Sequence, residues 1–193
     1  MKNFKTILLV CVLGLFFSSC GYNTMVEKQE TVTSQWANVE NSYQRRADLI
    51  PNLVNTVKGY AKHEQETFTQ VTEARAKATQ TRVDPDNLTE DKIAEFQKAQ
   101  GQLSTALGRL LLIQENYPEL KANENFLALQ DQLEGTENRI SVERNKYNKV
   151  AQDYNAYIRK FPQIIYSGLF GFKKKGYFEA LPGSENAPKV DFN

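Results

Sequence analysis

The single histidine is the first residue whose chemistry needs a test. His63 stands beside Glu64 in a polar stretch, a pairing that could serve a metal ion or a general base. A metal site needs three or four ligands, and the chain offers no second histidine. A general base needs a nucleophile or a substrate-binding loop, and neither a nucleophile elbow nor a glycine-rich phosphate loop occurs. We therefore expect no metal, no cofactor and no catalysis here, while the 23 acidic residues leave carboxylate-only chemistry open.

Both cysteines lie within the first twenty residues. Two lysines precede a twelve-residue segment, Thr6 to Phe17, that is almost wholly apolar and is followed by two serines and Cys20. As a helix this segment spans about 18 Å, which is short for a hydrocarbon core of about 30 Å. A basic start, a short apolar run and small residues are typical of a secretory signal, so a permanent transmembrane helix is the weaker interpretation.

The tetrapeptide Phe17-Ser18-Ser19-Cys20 is similar to a bacterial lipobox. We therefore predict a signal peptide over residues 1–19, lipidation of the Cys20 thiol, and loss of Cys11 with the signal. A thiol readily forms the thioether that such an anchor requires. The prediction is a lipid-anchored protein of the bacterial cell membrane that faces outside the cytoplasm, with inner and outer membrane both open. The alternative is an ordinary signal peptide that happens to contain Cys20.

Composition places the rest of the chain among globular helical proteins. Hydrophobic residues make up 40% and charged residues 24%, with a net charge of +1. This balance gives no basic surface of the kind that nucleic acids require, so no nucleic-acid partner is expected.

Apolar residues recur at alternating steps of three and four over three long stretches, which predicts long packed helices. The first apolar stripe runs from Val32 towards Val71, with Glu64 as an interruption, and ends before the turn at 84–87. Pro51 lies inside it and predicts a kink or a short break there rather than a hairpin. The second stretch follows Thr89 and closes at Asn116-Tyr117-Pro118, and the third runs from Glu119 to Phe161.

Short turns between long helices favour antiparallel neighbours. The predicted fold class is all-α, an elongated antiparallel up-and-down bundle whose first long helix is kinked or broken at Pro51. We predict three regions: the signal peptide, a helical bundle over residues 20–161, and an aromatic and lysine-containing tail over 162–193 with a disordered C-terminus.

Several segments together resemble the LemA family of bacterial membrane-associated proteins. The most specific is Arg45-Arg46-Ala47-Asp48-Leu49-Ile50-Pro51-Asn52-Leu53-Val54. The others lie at 21–23, 57–60, 73–75, 111–120, 123–126, 137–140, 154–157, 161–162 and 170–172. The resemblance implies a four-helical bundle outside the cytoplasm. It also implies envelope partners such as an HtpX-type protease or a TPM-domain protein. The family usually carries an N-terminal transmembrane helix, and the lipobox departs from that pattern.

Five residues are candidates for partner binding: Arg45, Arg46, Asp48, Asn116 and Tyr117. For the Arg-Asp group, the competing interpretation is a solvated helix face with a capping carboxylate. For Asn116 and Tyr117, it is helix capping and packing at a turn. The row Tyr147, Tyr154 and Tyr157 is expected to pack inside with wet hydroxyls.

The tail after Pro162 combines apolar and aromatic residues with Lys173-Lys174-Lys175, and it has two interpretations. It folds back over the lower part of the bundle, or it contacts a membrane or a partner. For the whole protein we expect a non-enzymatic scaffold or adaptor at the cell envelope. The alternatives are a carrier of an apolar ligand between helices, near 110–113, and a carboxylate-based enzyme.

Overall fold

The computed structural model describes residues 2–180, with side chains from residue 21 onward. This part of the chain contains six α-helices: α1 (Lys2–Tyr60), α2 (Gln65–Gln80), α3 (Glu90–Leu112), α4 (Pro118–Lys121), α5 (Glu124–Ile158) and α6 (Gln163–Phe170). Short 3-10 turns at Pro85–Asn87 and Ile113–Asn116 connect them. The Cys20 side chain and residues 181–193, to which the lipidation and disorder predictions refer, lie outside the described residues. None of the helices over residues 21–180 is long and apolar enough to cross a membrane.

Two antiparallel helix pairs form the bundle. α1 packs along α5, where Gln35 Nε2 lies 2.8 Å from Glu143 Oε2 and Asn123 Nδ2 lies 2.9 Å from the Tyr60 hydroxyl. α2 packs along α3, where Gln100 Nε2 lies 3.2 Å from the Ala78 carbonyl oxygen. The predicted all-α antiparallel bundle is confirmed.

The chain interrupts its first long stretch at residues 61–64, not at Pro51. α1 continues as helix through Pro51, and α2 then runs back along the second half of α1. His63 and Glu64 therefore lie in a turn between two helices. Of the two alternatives predicted at Pro51, a kink or a short break, the break is wrong. Because α2 faces the same core whether it continues α1 or folds back on it, the spacing of Phe68 and Val71 could not distinguish the two arrangements.

The predicted apolar stripes form two core clusters. The distal cluster lies near the 61–64 turn and contains Ile50, Phe68, Leu103 and Phe126. The proximal cluster lies near residue 25 and contains Trp36, Phe96 and Tyr147 among others. Phe161, which we predicted at the end of the third stripe, is instead 82% exposed because α5 ends at Ile158.

The segment 172–180 runs back along α5 and contacts α1 at Tyr22 and Trp36, a part of α1 that α2 does not reach. Asn155 and Asn148, one heptad apart on α5, each pair their side-chain amide with the tail backbone, at Lys175 and Phe178. All four hydrogen bonds are 2.8 Å long. Phe178 enters the proximal cluster and stacks on Trp36 with ring centroids 5.8 Å apart. The fold-back interpretation therefore describes this part of the tail.

Candidate functional site: interaction surfaces and a buried polar layer

A polar layer separates the two apolar clusters. Arg46 of α1 is 1% exposed, and its guanidinium donates to Gln100 Oε1 at 2.6 Å, to Ser104 Oγ at 2.8 Å and to Glu137 Oε1 at 2.6 Å. Gln100 in turn donates to the Ala78 carbonyl of α2. Arg46 thus links α1 to α3 and α5 directly and to α2 through Gln100. Of its N–H groups, the Nε–H lacks an acceptor among the described residues. A buried polar group of this kind fixes the register of neighbouring helices.

The structure separates the three candidates of the Arg-Asp motif. Arg46 is buried and bound to internal acceptors, so it cannot reach a partner in this conformation. Asp48 is exposed, lies within α1 rather than at a cap, and accepts a hydrogen bond of 2.7 Å from Gln44. The sequence contained a sign of this buried polar layer, because the polar residues Gln100 and Glu137 occupy apolar-stripe positions on two other helices.

Arg45, in contrast, is exposed and lines an open polar groove of about 770 Å³ between α1 and α5. Arg139 and Lys146 line the same groove together with the buried carboxylate of Glu143. The hydrogen bond from Gln35 is the main cause that lowers the pKa of Glu143, aided by the neighbouring cations and opposed by burial. The groove therefore holds an ionised acid that is already paired, not a proton donor.

Pro51 and Arg75 form a second connection between α1 and α2. A proline has no N–H, so the carbonyl of the residue four positions earlier loses its helical donor. In α1 that residue is Ala47, and its carbonyl oxygen accepts a hydrogen bond of 2.8 Å from Arg75 Nε. The proline thus exposes an acceptor on α1, and α2 supplies the donor. Sequence reasoning missed this contact because Arg75 lies 28 positions from its acceptor.

A recess of about 210 Å³ lies beside the polar layer, where α2 ends against α1 and α3. Glu40 is the one carboxylate among its lining residues, and Arg82 lines it as well. Burial raises the pKa of Glu40, while the Trp36 indole N–H and the charge of Arg82 oppose that rise. Hydrolytic chemistry by carboxylates generally uses two acids with separated pKa values, and this recess contains one.

The end of the bundle farthest from residue 21, which we call the distal tip, brings two turns together. These are the 61–64 turn and the connection between α3 and α5, over 113–123. Glu64 accepts a long hydrogen bond of 3.4 Å from the Tyr117 hydroxyl, and Asn123 caps α5 by accepting from the Phe126 N–H at 2.9 Å. Tyr117 is half-buried, whereas Asn116 is exposed and caps no helix. The capping interpretation is therefore wrong for Asn116, which is available at the surface, whereas Tyr117 packs against the distal cluster as that interpretation expected.

Two tyrosines of α5 bind the tail instead of water. The Tyr147 hydroxyl donates to the Gly176 carbonyl at 3.2 Å, and the Tyr154 hydroxyl donates to the Lys173 carbonyl at 3.1 Å. Burial raises the pKa of both phenols, that of Tyr154 to about 12. The expectation of wet hydroxyls is therefore wrong for these two residues, because the tail displaces water from them.

These features define a class of protein: a long helical bundle with a filled interior, a buried polar layer and two accessible ends. The LemA family model matches residues 35–192, and the chain belongs to the LemA family.

Curated relatives share modest identity with it. The chain is 26% identical over 181 residues to the magnetosome proteins MamQ 1 and MamQ 2 of Paramagnetospirillum magneticum, a match that covers 85% of this chain. It spans 66% of their length, just under two thirds. The chain is also 25% identical over 162 residues to the protein LemA of Metamycoplasma hominis, covering 83% of this chain and 70% of that protein.

Proposed function

We propose that this LemA-family chain is a lipid-anchored, extracytoplasmic scaffold or adaptor of the bacterial cell envelope. In this proposal Cys20 carries the acyl anchor, and the distal tip binds an envelope protein. The observation that carries the proposal is the convergence of two turns at the end opposite residue 21, one of which contains the LemA-like segment 111–120. A helix rises 1.5 Å per residue, so residues 21–60 of α1 hold that tip about 60 Å from the anchor.

The interior supports a binding role rather than a catalytic one. Both apolar clusters are filled with buried side chains, and the cation at the centre is bound to acceptors from neighbouring helices. The recess at Glu40 offers one acid with a raised pKa and no second carboxylate in its lining. The proposed activity depends on the position of a surface.

The tip itself supplies groups that suit a protein partner. Asn116 is exposed, and the half-buried Tyr117 ring lies beside it with its hydroxyl at Glu64. Tyrosine, an aromatic ring with a polar end, is enriched in protein interfaces. The resemblance to LemA proteins makes an HtpX-type protease or a TPM-domain protein the first partner to test.

The experiment places a photo-crosslinking amino acid at position 116 of the full chain in its native envelope. Val142, an exposed residue halfway along α5, receives the same label as a matched control. We expect a discrete protein adduct from position 116 that Tyr117→Ala diminishes, and none from position 142. Identical adduct patterns from both positions, or no protein adduct from 116, would contradict the proposed role of the tip.

A further inference from the structure

The helix α6 has its polar and apolar sides reversed relative to the bundle. Its serine, Ser167, is buried and donates to the Ile158 carbonyl of α5 at 3.1 Å. Tyr166 packs against the proximal cluster, but the other apolar residues of α6 and the preceding Phe161 are exposed. These exposed residues are Phe161, Ile164, Ile165, Leu169 and Phe170. A helix on the surface of a water-soluble bundle normally buries its apolar side. This arrangement leaves an apolar surface, which we call the α6 patch, largely uncovered by the described residues.

The α6 patch lies at the end of the bundle where the described side chains begin. The Tyr22 ring contacts Phe170 edge-on, with centroids 5.0 Å apart, and contacts Phe172 at 5.7 Å. The residue just before Gly21 is the proposed lipidation site. The patch is therefore on the same side of the molecule as the proposed anchor and opposite the distal tip.

Cations outnumber acids around the α6 patch, where Asp86 is the acid that lines a recess together with Lys173 and Lys174. Residues 159–178 contain five basic and no acidic side chains, and four of the basic ones, Arg159, Lys160, Lys173 and Lys174, are exposed. In the flanking helices the first acids from this end are Glu27 and Asp153. Lys175 is excluded from the cationic rim, because it is buried and donates to the Pro85 and Asp86 carbonyls.

From this geometry we infer that the α6 patch lies in the interface of an anionic lipid bilayer. Its apolar side chains enter the boundary between headgroups and acyl chains, and its four exposed cations contact phosphate groups. An apolar surface with a basic rim is the pattern of helices that lie in the plane of a membrane interface.

This inference rests on the proposed membrane attachment and adds an orientation to it. With the α6 patch against the lipid, the bundle stands on its proximal end and the distal tip points away from the bilayer. A protein partner bound to the α6 patch would instead require a surface with acidic groups around an apolar centre.

The test uses the full chain in cells, with a photo-crosslinking amino acid at position 169. Leu169 is 75% exposed on α6, and Leu112 is 67% exposed near the other end, so Leu112 is the matched control. Both positions are at the surface, and labelled chains that keep the protease-resistant pattern of the unlabelled protein are folded. We expect a lipid adduct at position 169 and none at position 112.

The charge contribution is tested in the same assay. Lys173→Gln with Lys174→Gln is expected to weaken the lipid contact about fivefold for each lysine, since a basic side chain near an anionic surface contributes about 1 kcal/mol. Lys62→Gln, at the distal tip, should leave the adduct at 169 unchanged.

The outcomes separate this inference from the proposed function. A membrane-bound chain without a lipid adduct at 169 overturns the inference and leaves the anchor intact. A protein adduct at 169 overturns it in favour of a protein partner. A chain recovered in the soluble fraction overturns the anchor and the inference together.

Discussion

Arg45 and Arg46 are consecutive arginines with opposite surroundings, and they make a natural pair of variants. Arg46→Ala removes the donor to three side chains of the polar layer and leaves a void. We expect a loss of about 3 kcal/mol in the free energy of unfolding. Arg45→Ala removes an exposed side chain and should change it by less than about 0.5 kcal/mol. Urea denaturation of both variants measures the difference.

Glu137 refines the same prediction. It is the acceptor of the Arg46 ion pair and is 47% exposed, so solvent screens the pair. Glu137→Gln should therefore cost about 1 kcal/mol, well below the Arg46 variant. Equal losses for the two arginine variants would show that Arg46 is not the centre of the layer.

Pro51 and Arg75 should be energetically coupled through the Ala47 carbonyl. Arg75→Ala removes the donor to that carbonyl and should cost about 2 kcal/mol. In a Pro51→Ala background a backbone N–H again faces Ala47, so the same change should cost about 1 kcal/mol less. A double-mutant cycle in urea measures this coupling.

Arg109 provides the control for that cycle. It is exposed, and it contacts Gln70 at 3.2 Å without reaching α1 backbone. Arg109→Ala should be additive with Pro51→Ala. A cycle for Arg75 that is also additive would mean that the contact to Ala47 contributes nothing specific to the proline.

These two contacts differ in how far residue patterns can predict them. Gln100 and Glu137 are polar residues in stripe positions, and that pattern by itself indicates a buried polar layer. The cation that they enclose sits beside the stripe, so its burial depends on how the helices rotate. Arg75 carries no local signal, because its acceptor arises from the missing N–H of a proline on another helix.

Among the elements, the tail is held by close approach of its backbone to α3. The Gly176 N–H donates to the Leu88 carbonyl at 2.8 Å, and a Cβ at this position would lie 2.6 Å from the Glu90 Cα atom. Gly176→Ala should therefore displace segment 172–180 and expose the Lys173-Lys174 bond to trypsin. Gly168→Ala, which meets open space on α6, should leave cleavage unchanged.

Loss of backbone protection by hydrogen exchange over 172–179 would accompany this displacement. A Gly176→Ala chain with the cleavage rate of the parent protein would contradict the described tail packing.

The same element predicts a response to alkaline pH. In the folded protein the pKa of Tyr147 and of Tyr154 lies above the ordinary value of 10. Their contribution to the free energy of unfolding is therefore complete below pH 10 and is lost as the pH rises towards 12. Burial lowers the pKa of Lys175 in the folded protein. Through this group the free energy of unfolding rises with pH, and the rise ends at the unfolded pKa of 10.5. Unfolding free energy should therefore fall between pH 10.5 and 12.

The double variant Tyr147→Phe, Tyr154→Phe should lose about 1 kcal/mol of unfolding free energy per hydroxyl at neutral pH. Its unfolding free energy should then fall less steeply between pH 10.5 and 12 than that of the parent protein. An unchanged slope would indicate that these phenols do not titrate with the tail in place.

The long helices were largely predictable from the sequence, whereas the position at which the chain reverses direction was not. The stripes from Val32 onward placed the buried faces of α1, α3 and α5 correctly, since apolar periodicity reports burial directly. The reversal at 61–64 escaped because an antiparallel hairpin preserves the same periodicity. The position of the tail could not be predicted, because the side-chain amides of Asn148 and Asn155 bind an extended backbone. Such contacts produce no periodic pattern in the sequence.

At the scale of the whole molecule, the two proposals give the bundle a membrane end and a free end. The α6 patch and residue 21 lie at one end, and the distal tip lies about 60 Å away. A scaffold of this kind works by distance and orientation, so its attachment point determines what it can reach. Attachment at Cys20 is therefore the central claim.

That claim is tested by the intact mass and membrane fractionation of the Cys20→Ala full chain, with Cys11→Ala as the matched control. We predict that Cys11→Ala yields the same acylated mature protein as the parent, because Cys11 leaves with the signal peptide. Cys20→Ala should lose both the acyl mass and cleavage after Ser19. A Cys20→Ala protein that is still acylated, or a parent protein that carries no acyl group, would contradict the proposed attachment.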